Sequence, residues 1–165
     1  MLEVTLTLPA RDLLHVFGVH PIHFPGTFLD YWRNWQLRTV RKRAAGHAQE
    51  YCLIAGDFNA IAPTDRALLD KAPVQMRLLY WLQVGRIFTT AIQNILAAGY
   101  VDCYRKLHPQ DDGFTLPTGL PKLRLDYIFA NSTMQSKLRS CDVVMEPPEV
   151  HRASDHCPVI VEFDL

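Results

Sequence analysis

The chain lacks net charge: 17 Lys and Arg residues balance 17 Asp and Glu residues over 165 positions. That balance excludes bulk attraction to nucleic acid or to an anionic membrane, so any such contact must be local. No Cys-x-x-Cys pair occurs among the four cysteines, Cys52, Cys103, Cys141 and Cys157. Their wide spacing argues against a zinc knuckle and a dense disulfide framework, and leaves them as buried, reduced thiols. Also missing is any run of about 18 apolar residues, the length that would span a membrane. Met1-Leu2-Glu3 lacks the charged and apolar regions of a signal peptide. There is no internal repeat and no low-complexity segment.

What is there is 48% hydrophobic composition, enough to bury one real core and too little chain for two comfortable ones. Residues 1–165 therefore read as a single domain. Leu2, Val4 and Leu6 alternate with Glu3, Thr5 and Thr7, which predicts a strand with one buried face. After a turn over Pro9 to Asp12, Leu13 to Val19 reads as its hairpin partner, ending at His20. Pro25-Gly26-Thr27 marks a helix start with Thr27 as cap, and Phe28, Tyr31, Trp32 and Trp35 follow at helical spacing as an aromatic, core-facing stripe. Arg38, Arg41, Lys42 and Arg43 crowd the end of that helix, where cations suit the dipole; a phosphate-tracking patch is the rival reading.

Leu53, Ile54 and Ala55 form an apolar run that stops at Gly56-Asp57-Phe58-Asn59. If the backbone stays extended, Asp57 and Asn59 leave on one side and Phe58 anchors the other. Ordinary turn chemistry would use the same residues. Pro63-Thr64-Asp65 reads as a helix start, residues 74–84 as a buried helix or lid, and Phe88 to Leu96 as an amphipathic helix stopped by Gly99. Tyr100 to Pro121 reads as irregular surface loop. Arg124 to Phe129 is a strand with a carboxylate, Asp126, set inside it. Leu138 to Met145 is another, and Ser154-Asp155-His156-Cys157-Pro158 leads into the strand-like run Val159 to Phe163. An acid at the edge of apolar β sequence is costly without a partner, a metal or water. Singly, Asp126 could be a strand-edge charge, Asp155 a turn acid and His156 a surface histidine.

Together and in this order, the three motifs resemble the endonuclease/exonuclease/phosphatase superfamily. That group includes pancreatic deoxyribonuclease, exonuclease-type abasic endonucleases, neutral sphingomyelinases and inositol polyphosphate 5-phosphatases. The resemblance runs from about Val16 to the last residue, with no family motif between Asp70 and Ala98. It implies an α+β fold, a four-layer sandwich of mixed β-sheets flanked by helices. It also implies hydrolysis of a phosphodiester or phosphomonoester by activated water, supported by Mg2+ or Mn2+. By the same resemblance, Asp57 orients or deprotonates the water, Asn59 holds it and a phosphate oxygen, and Asp155 is the metal-site carboxylate with Asp57 nearby. Asp126 would hold the imidazole of His156, and His20 would contact the phosphate. His20 and His23 could instead suggest a zinc pair, although no third ligand stands at a recognisable spacing.

The family also carries an asparagine strand and a metal-binding glutamate in a Gln-Glu context upstream of the histidine strand. Nothing before His20 matches them, since Glu3 is the one acidic residue before Asp12. The chain accordingly reads as the C-terminal two-thirds of such a domain. Some apolar surface should then lie exposed, or be covered by the missing segment or a partner. Any signal would lie upstream, which leaves the cytoplasm as the default compartment. Two function classes follow: a metal-dependent phosphoesterase, or an impaired relative that binds phosphorylated ligands without efficient turnover. DNA, RNA, phospholipid and inositol phosphate are all open as substrates, because the choice among them lies in loops.

Overall fold

A computed structural model describes residues 1–22, 27–66, 89–118 and 123–165, together with residues 68, 74 and 78. Among the described residues, seven strands run in chain order: β1 (Leu2–Thr7), β2 (Leu13–Val19), β3 (Tyr51–Asp57), β4 (Val101–Asp102), β5 (Asp126–Ala130), β6 (Leu138–Val143) and β7 (Val159–Phe163). The helices are α1 (Thr27–Ala44), α2 (Thr90–Ala97), α3 (Cys103–Leu107), α4 (Ser132–Gln135) and α5 (Val150–Ala153), with a 3-10 turn at Ala45–His47 after α1. The first five strands form one mixed sheet in the order β1-β2-β3-β5-β4, and β6 pairs antiparallel with β7 in a second. This is the α+β class that the motifs imply, a mixed sheet flanked by helices. Among the described residues no helix is long and apolar enough to cross a membrane.

The apolar run in β3 is buried because both of its faces are covered. Alternate residues point to opposite sides. Cys52 and Ile54 join Phe17, Val19, Tyr127 and Phe129 under Leu37, Val40 and Ala44 of α1 and Ile92 and Ile95 of α2. Leu53 joins Ala130, Met134 and Cys141 on the other side, against which Val143, Val159 and Val161 of the small sheet pack. All four cysteines are buried free thiols. Each large aliphatic or aromatic side chain removed from water this way contributes roughly 1.5–3 kcal/mol.

Several expectations are corrected here. All six residues of β1 are exposed, with Leu2 at 66% and Leu6 at 48%. The alternation is real, but Leu2, Val4 and Leu6 stand opposite Gly18, Val16 and Leu14 at the sheet edge, while the two-stranded sheet makes its contacts over β5. The expected exposed apolar surface is this row. On α1 the stripe turned inward is Asp30, Arg33, Leu37, Val40 and Ala44, and Tyr31, Trp32 and Trp35 are exposed. The sheet selects the row that meets Phe17 and Ile54, and Trp32 and Trp35 pack edge to face at 5.7 Å on the outside. Tyr100 to Pro121 is less irregular than expected, since β4 and α3 lie within it and Asp102 caps α3 by accepting from Arg105 N at 3.1 Å. Of residues 74–84 only Val74 and Leu78 are described; both are helical and exposed. His23, the Pro25-Gly26 turn and Phe88 lie outside the described residues.

Residues 63–66, read as a helix start, are not helical, and Asp65 is the centre of a buried ionic cluster. Its carboxylate accepts from Arg124 Nε at 2.8 Å and Nη2 at 2.9 Å, from Arg105 Nη2 at 2.9 Å and from the Tyr127 hydroxyl at 3.0 Å. Arg124, 1% exposed, also donates to Asp102 at 3.0 and 2.5 Å and lies 4.5 Å over the Tyr127 ring. Burial works against its charge, but the bonds to Asp102 and Asp65 outweigh that and hold the guanidinium firmly ionised.

Candidate active site

Strand direction gathers the site. β2 and β3 are parallel, so both end at one edge of the sheet; β5 runs against β3, so it begins there. His20 follows the last residue of β2, Asp57 ends β3, and Asp126 opens β5 directly opposite Asp57 in register. Gly56 is required just before the acid. Its φ is +141°, and a Cβ there would stand 2.1 Å from the Val19 carbonyl oxygen.

The Asp155-His156 loop is hung on the same edge by backbone bonds. Cys157 N donates to Thr115 O at 2.8 Å, and Thr118 N donates to Asp155 O at 2.9 Å. The Thr118 hydroxyl donates to Ser154 O at 3.1 Å. Thr115 Oγ1 in turn accepts from Leu125 N at 3.1 Å, beside Asp126. Thr115 is fully buried and Thr118 is 6% exposed. These positioning residues, with Arg124, are invisible to a motif reading, because their partners lie tens of residues away.

The side chains meet as follows. His156 Nδ1 lies 2.7 Å from Asp126 Oδ2. His20 Nε2 is 3.5 Å from Asp57 Oδ2, with the imidazole largely in solvent. Asp57, Asp126 and Asp155 all lie near enough to His156 to act on its charge. Asn59 departs from expectation. The strand stops at Asp57 and Asn59 takes φ +47°, so the backbone does not stay extended. Its N–H donates to Asp57 Oδ1 at 2.8 Å, and its Nδ2 donates to Pro21 O at 3.1 Å. Asn59 thus tethers the segment that follows His20. Phe58 is fully buried against Tyr127 and Phe129, the anchor expected of it.

Burial pushes the Asp57 carboxyl above its ordinary value; the Asn59 N–H opposes this, the charge of Asp126 adds to it, and His156 and His20 oppose it. Burial alone would lower the His156 pKa, but the bond to Asp126 and the charges of Asp126, Asp57 and Asp155 raise it overall from 6.5. A histidine raised on folding contributes stability that is fully present below its unfolded pKa and is lost as pH rises through the folded one. The His156 imidazole should therefore titrate above 6.5 by NMR, and Asp126→Asn should lower its midpoint. An identical midpoint in both proteins would contradict the coupling.

The donors suit a hard divalent ion. Asp57 faces Asp126 in register, and like charges so placed favour a cation between or beside them. The carboxylate of Asp155 is exposed and makes no hydrogen bond or ion pair among the described residues. A cleft of about 300 Å³ opens beside His20, lined in part by Val19, Pro21, Trp35, Leu37 and Val40.

The sequence profile of the Endonuclease/Exonuclease/phosphatase family matches residues 3–156. Similar solved structures include a 3′ phosphatase from Neisseria bound to a product DNA hairpin, with a TM-score of 0.69 and 22% identity over 99% of this chain and 65% of that one. An AP endonuclease from Archaeoglobus fulgidus gives a TM-score of 0.67 at 22% identity, again over 99% of this chain and 65% of that one. A family protein from Leptotrichia buccalis gives 0.60 at 20% identity, covering 99% and 53%. At these identities the likeness is one of fold, and the chain spans 65% or less of each neighbour's length. No curated protein sequence matches.

Proposed function

The chain belongs to the endonuclease/exonuclease/phosphatase family, and from that premise we propose that the residues gathered at this sheet edge hydrolyse phosphate esters with the help of a divalent metal ion. The observation that carries the reading is the 2.7 Å contact of His156 with Asp126 at the sheet edge where Asp57 stands opposite. Asp155, with Asp57 beside it, would hold Mg2+ or Mn2+, which supplies charge neutralisation at the phosphate and a more acidic bound water. Asp57, made more basic than an ordinary aspartate by burial, takes the proton of the attacking water. His156 holds Nδ1 against Asp126, which favours its protonated form, so its other nitrogen can stabilise charge on the phosphate or protonate the leaving oxygen. His20, largely in solvent, is free to meet the phosphate. Asn59 keeps His20 in place through Pro21 and retains its second amide hydrogen for the substrate.

A nucleic-acid ester is the favoured substrate class, because the Neisseria neighbour holds DNA. Phospholipid and inositol phosphate have no such support. The donor set here is short of the glutamate that the family carries upstream, so metal should bind weakly and turnover should be low. The test uses bis-p-nitrophenyl phosphate and a DNA oligonucleotide with Mg2+ or Mn2+. Slow metal-dependent hydrolysis is expected, abolished by Asp155→Ala and raised by extending the chain upstream. Binding of substrate without metal-dependent turnover in either form would favour the impaired relative.

A further inference from the structure

A second group of metal-ligating side chains stands well away from this edge. His15 lies within β2, His47 closes the 3-10 turn after α1, and Glu50 immediately precedes β3. His15 Nε2, His47 Nδ1 and a Glu50 carboxylate oxygen all lie within 4.8 Å of one another. His15 pairs in register with Cys52, five residues before Asp57. At about 3.3 Å per residue the cluster is roughly 16 Å from the catalytic carboxylates.

The most telling atom is His15 Nε2. The residue is 4% exposed, yet this buried nitrogen has no hydrogen-bond partner. It lies against Glu50 Oε2, an ion-pair contact whenever the imidazole is protonated. A divalent ion held between the imidazole and the carboxylate would replace the proton that they otherwise share. The ring's other nitrogen is already engaged, since Nδ1 lies 3.0 Å from the Thr5 hydroxyl on the paired strand β1. A metal-bound histidine is usually held in this way, with its far N–H donated to an oxygen and a lone pair left on the ligating nitrogen. His47 Nδ1 lies 3.0 Å from Glu50 Oε2, and its ring stacks on His15 at 3.6 Å. His47 and Glu50 are partly solvent-exposed, so both can adjust around an ion while His15 stays fixed.

We propose that His15, His47 and Glu50 form a three-ligand site for a divalent transition-metal ion of the zinc class, separate from the catalytic edge. Two imidazoles and one carboxylate match the borderline character of Zn2+ or Co2+ and are a poor set for Mg2+. Solvent would supply the fourth ligand from the exposed side of Glu50. Such an ion would tie the edge of β2, with Thr5 of β1 behind it, to the turn that leads from α1 into β3.

The test titrates the whole chain with Zn2+ or Co2+ alone, in the presence of excess Mg2+. One ion should bind per chain, raise the melting temperature and, for Co2+, give visible d–d absorption with shifted or broadened imidazole signals of His15 and His47. His47→Ala and Glu50→Gln, both at partly exposed positions, should each weaken binding by roughly tenfold or more, and Thr5→Val by less. Asp155→Ala should leave it unchanged, which separates this site from the catalytic one. Binding that survives both His47→Ala and Glu50→Gln, or His15 and His47 signals that ignore Co2+, would overturn the proposal, as would the absence of binding below millimolar Zn2+.

Discussion

His156→Ala is expected to lower Mn2+-supported hydrolysis of bis-p-nitrophenyl phosphate by roughly a hundred- to ten-thousand-fold, the usual contribution of a positioned acid or base. The loss should fall on kcat, because a cation facing the phosphate matters most as charge moves to the leaving oxygen. The variant and the parent chain are compared at the same Mn2+ concentration. His156 is partly exposed, so the substitution should cost only the modest stability of its bond to Asp126 and leave the fold intact, checked by a cooperative unfolding transition with a slightly lowered midpoint. A variant with kcat within a few-fold of the parent would remove His156 from the chemistry.

The largest stability effect is expected at Arg124. Arg124→Met should cost roughly 3–5 kcal/mol, because it strands Asp65 and Asp102 as buried carboxylates without their main counter-ion. Both are deeply buried: the Asp65 side chain is 0% exposed and that of Asp102 is 6%. Arg105 still reaches Asp65 at 2.9 Å, so some compensation remains, yet Asp102 loses both of its bonds to Arg124. For a domain with a typical total of about 5–15 kcal/mol, the change takes a large share of the stability. Urea denaturation reads it directly, and a loss below about 1 kcal/mol would mean that the cluster is hydrated or dispensable. The same substitution should impair catalysis indirectly, since Arg124 fixes the start of the strand that presents Asp126.

The strands that build the site were legible because burial on both faces leaves an apolar run, as in Leu53 to Ala55, and because a turn residue punctuates it at Gly56. The meeting of Asp57, Asp126 and His156 could not be derived from spacing; it came from the likeness of three motifs and is produced by the antiparallel pairing of β3 with β5 and by the backbone bonds that hang the His156 loop on Thr115 and Thr118. Where periodicity misled, it did so for one reason. It reports which residues share a face but not what covers that face. Leu2, Val4 and Leu6 share a face with nothing over it among the described residues, and Trp32 and Trp35 share one that the sheet does not meet. Charged groups were misread for a different reason. Asp65 reads as part of a helix start with Pro63 and Thr64, while its partners are 40 and 59 residues further on. No local signal could reveal them, nor the Thr115 carbonyl and the Thr118 N–H and hydroxyl that hold the Asp155-His156 loop.

The central claim is that Asp57 and His156 act as one metal-dependent unit on a phosphate ester, and a double-mutant cycle measures it most directly. Hydrolysis of bis-p-nitrophenyl phosphate at saturating Mn2+ is followed for the parent chain, Asp57→Asn, His156→Ala and the double variant. Groups that serve a single transition state are strongly non-additive, so the double variant should be no slower than the worse single variant by more than a factor of a few. Losses that multiply would mean two independent contributions, and single variants that hydrolyse as fast as the parent would contradict the assignment of the site itself.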